Sequence, residues 1–203
     1  GEGFAAICLR LGGAVRDRWC TCAATASNQD GRSASLTAPS GPAQRAMTES
    51  CHQAAGILPA DLSASECHGT GTALGDPIEV GALRAALSGL AEPLALTSVK
   101  GNLAHMEAAA GLSGVIKLAA MLRHGATAPG VHARKLNPNI EEEGFPWHMV
   151  TELADPSRTD TFIGVQAFGL GGTNARADFW SRVATGDRAP GPRTLDLSKA
   201  DFV

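Results

Sequence analysis

An α/β fold with a mixed sheet is predicted by three observations. Runs of strand character alternate with runs of helical character along most of the chain. The last two strand-like runs, Phe162 to Phe168 and Ala175 to Trp180, flank a tight glycine-rich turn and so predict an antiparallel hairpin. Two further glycine-bearing turns, one holding His68 and one holding His105, stand where a short apolar run gives way to a helical one. Ligands of open α/β sheets bind at such ends.

Phe4 to Leu11 reads as a buried strand, and Thr21 to Ser27 as a second, rich in small and β-favouring residues. Asn28-Gln29-Asp30-Gly31 ends it with turn residues, and Pro39 to Pro42 is a loop. Ala43 to Ala55 reads as a helix closed by Gly56, with Ala43, Met47, Cys51, Ala54 and Ala55 near one face. Pro59 to Leu62 connects it to a short strand end running into Cys67. Asp76-Pro77-Ile78-Glu79 is a helix start: Asp caps, Pro fits the first position, and Glu79 sits where a capping box wants it. That helix runs to about Leu87 and stops at Gly89, and Leu94 to Ser98 is a strand. Ala108 to Leu122 is apolar nearly all round, which predicts a central buried helix. Gly111 and Gly114 would cost it about 1 kcal/mol each against Ala if exposed, so they predict close approach to a neighbour. Lys117, its one charge, is expected near a rim. Pro129 to Pro138 is an extended loop, and Trp147 to Val150 a strand. Past Arg182 the chain is rich in Pro, Gly and charge; residues 1–182 read as one domain portion and 183–203 as a linker or tail.

With 203 residues, 44% hydrophobic and 18% charged, the chain can bury a real core. A net charge of -3 excludes a general attraction to nucleic acid or anionic lipid. No apolar run is long enough to span a bilayer. The abrupt start at Gly1-Glu2-Gly3 predicts a fragment of a longer protein, so a missing leader says nothing. Five cysteines at irregular spacing make no disulfide framework and predict a reducing compartment, the cytoplasm or an organelle. No metal is expected, because Cys20-Thr21-Cys22 fails in both ligand count and spacing.

Gly69-Thr70-Gly71-Thr72 fails as a dinucleotide loop, since Leu74 stands where the third glycine belongs. Neither a P-loop nor a Gly-x-Ser-x-Gly elbow is present. What the two segments do hold is a pair of histidines on turns. Two imidazoles brought together there can donate to one carbonyl oxygen, which suits stabilising a thioester enolate.

Five segments together resemble the β-ketoacyl synthase family of the thiolase superfamily. They are Gly1-Glu2-Gly3; Asn28-Gln29-Asp30-Gly31-Arg32-Ser33 with Leu36-Thr37-Ala38-Pro39; Glu66-Cys67-His68-Gly69-Thr70-Gly71-Thr72; Lys100, Asn102, His105 and Glu107-Ala108-Ala109-Ala110-Gly111; and Phe168-Gly169-Leu170-Gly171-Gly172-Thr173-Asn174-Ala175. They come in the family's order and cover most of the chain. Cys67 stands where Ala is usual, Leu170 where Phe is common, and Arg176 where His is frequent. The Glu107 form is similar to type I polyketide and animal-type fatty acid synthases.

The resemblance implies the C-terminal half of a thiolase-like fold, a mixed sheet with buried helices. It implies a decarboxylative Claisen condensation, in which a malonyl thioester on an acyl carrier protein loses CO2 and its enolate attacks an acyl group held on a cysteine. His68 and His105 would be neutral N–H donors to the enolate oxygen. A helix N-terminus beside His105 and the Lys100 cation would push the His105 pKa down and keep that imidazole neutral. Lys100 would also orient the His105 loop through Glu107, with Asn102 supporting it. Thr70 and Thr72 would bind the phosphopantetheine arm. Phe168, Leu170 and Gly171 would line the substrate, Leu170 through a backbone N–H and a gating side chain. No cofactor is bound by the domain itself. Partners implied are the acyl carrier protein, an N-terminal half and a second copy in a homodimer.

Alternatives stand beside these roles. Lys100 could be a surface cation. Thr70 and Thr72 could only satisfy their own turn. Asp76 and Glu79 are explained by capping, Cys67 by buried filling, and His52, His124, His132 and His148 by surface or packing positions. None of the five cysteines has the strand-tip setting of the family's nucleophile, which lies upstream of the Gly-Glu-Gly strand. A non-catalytic assembly module and a malonyl-thioester decarboxylase therefore remain as rival functions.

Overall fold

The computed structural model describes residues 1–12, 18–33, 35, 37–90, 92–141, 143–154 and 160–182. In chain order the elements are β1 (Thr21–Gln29), α1 (Gly41–Ala55), a 3-10 turn (Pro59–Asp61), β2 (Leu62–Glu66) and α2 (Gly75–Ala86). Then come β3 (Leu94–Thr97), a short α3 (Lys100–Leu103), a 3-10 turn (Glu107–Ala109), α4 (Ala110–His124), β4 (Trp147–Met149), β5 (Asp160–Phe168) and β6 (Thr173–Arg182).

The six strands form one sheet in the order β1-β6-β5-β2-β3-β4. β5 and β6 are the expected hairpin, with Phe168 opposite Asn174, and β1 adds antiparallel to β6. β2 lies parallel to both β3 and β5, and β4 parallel to β3. The sheet is therefore mixed, as the alternation of elements predicts.

Two apolar clusters cover its two faces. Ala64, Ala95, Ile163, Val165 and Phe179 pack against Leu118, Met121 and Leu122 of α4. Leu62, Leu94 and Leu96 face the other way, against Val80, Leu83 and Leu87. Adjacent strand residues point to opposite faces, so Ala95 and its neighbours Leu94 and Leu96 serve different layers. α1 lies on the α2 side, against α2, β1 and β6.

Local chemistry explains the ends. The Ser40 side chain accepts from the Ala43 N–H at the start of α1, and Gly56 closes it at φ 67, the left-handed cap that glycine favours. In α4, Gly114 lets the helix sit against β5: a Cβ there would meet Val165 Cγ2 at 3.0 Å and Glu66 Cγ at 3.3 Å.

Two expectations fail. Phe4 to Leu11 is no strand and is not buried; Phe4 is 97% exposed and Leu9 74%. An apolar run reports what could be buried, not that a sheet edge is there to receive it. Lys117 is not at a rim: its ammonium is buried 3.1 Å from Glu66 Oε2 and 2.5 Å from Thr97 Oγ1. Residues 183–203, the expected tail, lie outside the described residues. Among the described residues no helix is long and apolar enough to cross a membrane.

Candidate active site

His68 leaves the end of β2 and His105 follows α3, on the same end of the sheet. The fold brings them together with ring centroids 5.8 Å apart and planes at 89°. The Phe168 ring, at the end of β5, lies 5.3 Å from the His68 ring.

The tautomers follow from the neighbours. Lys100 Nζ and the Phe168 backbone N both lie 3.4 Å from His68 Nδ1. An ammonium and a backbone N–H can only donate, so Nδ1 accepts and the proton sits on Nε2. His105 Nδ1 accepts from the Glu107 N–H at 2.9 Å, which places its proton on Nε2 as well. Each ring thus presents one N–H donor. Burial, then the Lys100 cation, then His105 push the His68 pKa down to about 4, so this imidazole is neutral at ordinary pH. Lys100 acts here on His68; the expected link from Lys100 to Glu107 is replaced by one from the Glu107 backbone to His105. Lys100 itself is lowered by burial, against the pull of Glu79 and Glu66.

Two buried carboxylates hold the turns, one from each face of the sheet. Glu79 of α2 accepts from the His68 N–H at 2.6 Å and the Gly69 N–H at 2.9 Å. Glu66 of β2 accepts from the Val99 N–H, just ahead of Lys100, and is paired with Lys117. Burial raises the pKa of both, Lys117 pulling Glu66 back and the Gly69 N–H pulling Glu79 back. Gly69 has φ +47, and a Cβ there would fall 2.8 Å from Ser98 Cβ, so the turn needs glycine for both conformation and space. The capping reading of Glu79 is therefore wrong, because the carboxylate points under the His68 turn rather than at its own helix end. The available signal was its place on the Glu79, Leu83, Leu87 stripe, where a carboxylate shares a helix face with buried leucines. Asp76 likewise folds back, accepting from the Gly71 N–H at 3.1 Å.

The remaining candidates divide. Thr72 Oγ1 accepts from the Gly75 N–H at 3.1 Å and lies 3.3 Å from Thr70 Oγ1, so Thr72 does satisfy its own turn. Leu170 is 79% exposed at the tip of the β5–β6 turn, beside an exposed Gly171. Asn102 and Glu107 have exposed side chains. Among the described residues no cluster of His, Cys, Asp and Glu could hold a metal. Cys67, beside His68, is held well above its ordinary pKa by burial and by Glu79 and Glu66. Burial also raises Cys20 to about 11 and Cys51 to about 12.

Of the surface or packing positions expected for it, His52 takes a packing one and is buried. Its Nε2 lies 3.3 Å from Arg176 Nη2 and 3.5 Å from Asp178 Oδ2, and burial with the Arg176 charge lowers its pKa to about 4. Arg176 and Asp178 are 2.8 Å apart, both fully buried.

Comparison with known proteins points to one family. Residues 19–134 match the family model of the β-ketoacyl synthase C-terminal domain. The chain is 42% identical over 184 residues to lovastatin diketide synthase mokB of Monascus pilosus, covering 87% of this chain and 7% of that protein. It is 44% identical over 154 residues to erythronolide synthase EryA2 of Saccharopolyspora erythraea, covering 74% of this chain and 4% of that protein. Ketosynthase twelve of the bacillaene polyketide synthase of Bacillus amyloliquefaciens superposes with a TM-score of 0.76 at 35% identity, over 80% of this chain and 30% of that one.

Proposed function

The chain belongs to the β-ketoacyl synthase family, through its C-terminal domain, and from that premise we propose that it supplies the two-histidine half of a condensing site. The observation that carries this is the pair of fixed tautomers. His68 and His105 each accept at Nδ1 and so present Nε2–H, on rings 5.8 Å apart. A single thioester oxygen can take both hydrogen bonds.

In the proposed reaction the bond from the malonyl α-carbon to its carboxylate breaks and CO2 leaves. The electron pair moves into the thioester as an enolate, whose oxygen the two N–H groups stabilise. The enolate carbon then attacks an acyl thioester and expels the thiolate that carried it. His68, neutral because it is buried beside Lys100, keeps Nδ1 as an acceptor for its neighbours and offers Nε2–H to the oxygen. The malonyl unit would arrive on the phosphopantetheine of an acyl carrier protein, with Thr70 and Thr72 along the arm and Phe168, Leu170 and Gly171 against the substrate. Lys100 stands against the His68 ring, and Asn102 and Glu107 shape the second turn.

The acyl-bearing cysteine is assigned to sequence outside these 203 residues. Burial holds Cys20, Cys22, Cys51 and Cys67 as thiols, which argues against each as the nucleophile. Five cysteines at irregular spacing support a reducing compartment. A homodimer and an N-terminal half complete the proposed assembly.

Decarboxylation is the step these residues could perform without a thiol, and it gives the test. Incubated with a malonyl thioester of pantetheine, the chain is expected to release CO2. His68→Ala should lower the rate by about 100-fold or more, the effect of losing one such donor. A wild-type chain that releases no CO2 above background rejects the reading for this chain alone. Failure also after an N-terminal ketosynthase half is supplied rejects it altogether.

A further inference from the structure

We infer that Arg176 is a positioning residue for His68, acting through Gln166 and Glu79; the inference rests on the reading of His68 as the enolate donor. Arg176 Nη1 donates to Gln166 Oε1 at 3.2 Å, and Gln166 Nε2 donates to Glu79 Oε1 at 2.6 Å. The same carboxylate takes the His68 and Gly69 N–H groups. The chain of contacts therefore runs from β6 across β5 to α2, and up to the turn that carries the imidazole.

Polarity makes this a directed relay. A guanidinium has only donors and an ionised carboxylate only acceptors. Gln166 stands between one of each, so its amide can point only one way, oxygen to Arg176 and nitrogen to Glu79. Without Arg176 the buried Gln166 oxygen loses its donor, and the contact to Glu79 is left as the one restraint on the amide in this chain of contacts. An amide that swings to find another donor for its oxygen gives up its hydrogen bond to Glu79 and loosens the carboxylate beneath the His68 turn. Gln166 is 4% exposed and Glu79 3%, so water offers little substitute.

The surroundings are shaped for the guanidinium. A Cβ on Gly164 would fall 2.0 Å from Arg176 Nη2, so the absence of a side chain there makes the room. Asp178 takes Arg176 Nε at 3.3 Å and Nη2 at 2.8 Å, and neutral His52 lies against Nη2 on the other side. A buried ion pair of this kind is often no more stabilising than apolar residues of the same volume. Orienting Gln166 is a task that apolar residues could not perform.

Hydrogen exchange and 15N histidine spectra of the whole 203-residue chain test the relay. Arg176→Met with Asp178→Leu removes both charges together, and Gln166→Met removes the amide alone. In both variants the His68 and Gly69 amides are expected to exchange at least tenfold faster, and the His68 ring nitrogens to shift away from the pure Nε2–H pattern. The amides of Leu118 and Leu122 in α4 should keep their wild-type rates. If one variant does not fold, the other decides. Rates at His68 and Gly69 within twofold of wild type overturn the inference, as does equal acceleration in α4 in both variants, which would make the cluster merely structural. Absence of CO2 release by the wild-type chain, both alone and with an N-terminal ketosynthase half supplied, defeats the functional reading and leaves these rates untouched.

Discussion

Ala104, immediately before His105, is held at φ 61 and ψ -175, and Glu107, two residues after it, at φ 47. Both lie in the half of backbone space that side chains avoid, and the Ala104 region belongs almost to glycine alone. Such a conformation costs of order 1–3 kcal/mol and is kept when a side chain must be aimed. Ala104→Gly should therefore raise the melting temperature, by about 1 kcal/mol of stability after the extra freedom of the unfolded chain is offset. It should also slow CO2 release by loosening His105. A lowered melting temperature would mean that the loop is not strained. His52 gives a second residue-level prediction. Burial and Arg176 hold its folded pKa at about 4, Asp178 only partly opposing them, whereas an unfolded chain protonates histidine from about pH 6.5. Between pH 6.5 and 4 the unfolded state binds the extra proton, so this contribution to stability is whole above 6.5 and falls as the pH falls, by up to about 1.4 kcal/mol per pH unit. His68 acts in the same sense, and the raised Glu66 and Glu79 act in the opposite one. The contrast with His52→Gln isolates the residue: wild type should lose stability faster than the variant over that window, and parallel pH curves would count against it.

α4 and the strands beneath it carry the close approach that aligns the site. Gly114 sits 3.0 Å, by its absent Cβ, from Val165 and 3.3 Å from Glu66. Gly114→Val must push the helix off β5 or shift Glu66, and overpacking of this kind costs about 1–3 kcal/mol. Because Glu66 also holds the Val99 N–H and Lys117, the variant should lose CO2 release out of proportion to its fall in melting temperature. Equal losses would place the effect in the fold alone. That glycine was legible in the sequence, as were α1 with its Gly56 cap, the β5–β6 hairpin and the two turns that bring His68 and His105 together. These are features of local pattern: periodicity, caps and turn residues. The partners of the buried ionisable groups were not legible. Glu66, Glu79, Lys117, His52 and Asp178 gain their meaning from partners far away in the chain, and a carboxylate on a helix reads as a cap until the element beneath it is known. Phe4 to Leu11 failed for the same reason, since strand pattern does not name a strand partner.

At the scale of the molecule, apolar surface lies exposed at both ends of the motif set. Phe4 is 97% exposed, Leu9 74%, Leu103 56% and Leu170 79%. Single exposed leucines are ordinary, but Phe4, Leu9 and Leu11 fall within one eight-residue stretch that pairs with no strand of the described sheet. The chain also spans only 30% of the bacillaene ketosynthase it superposes on. A surface of this kind predicts association. In sedimentation velocity the purified chain should show a weight-average mass that rises with concentration. Phe4→Ser with Leu9→Ser should bring it down without changing the melting temperature, because neither side chain is in the core. Supplying an N-terminal ketosynthase half should suppress self-association in the wild type and capture less of the double variant. A chain that stays monomeric at high concentration would mean that this stretch folds back on itself in solution, and the proposed assembly would then have to dock elsewhere on the sheet.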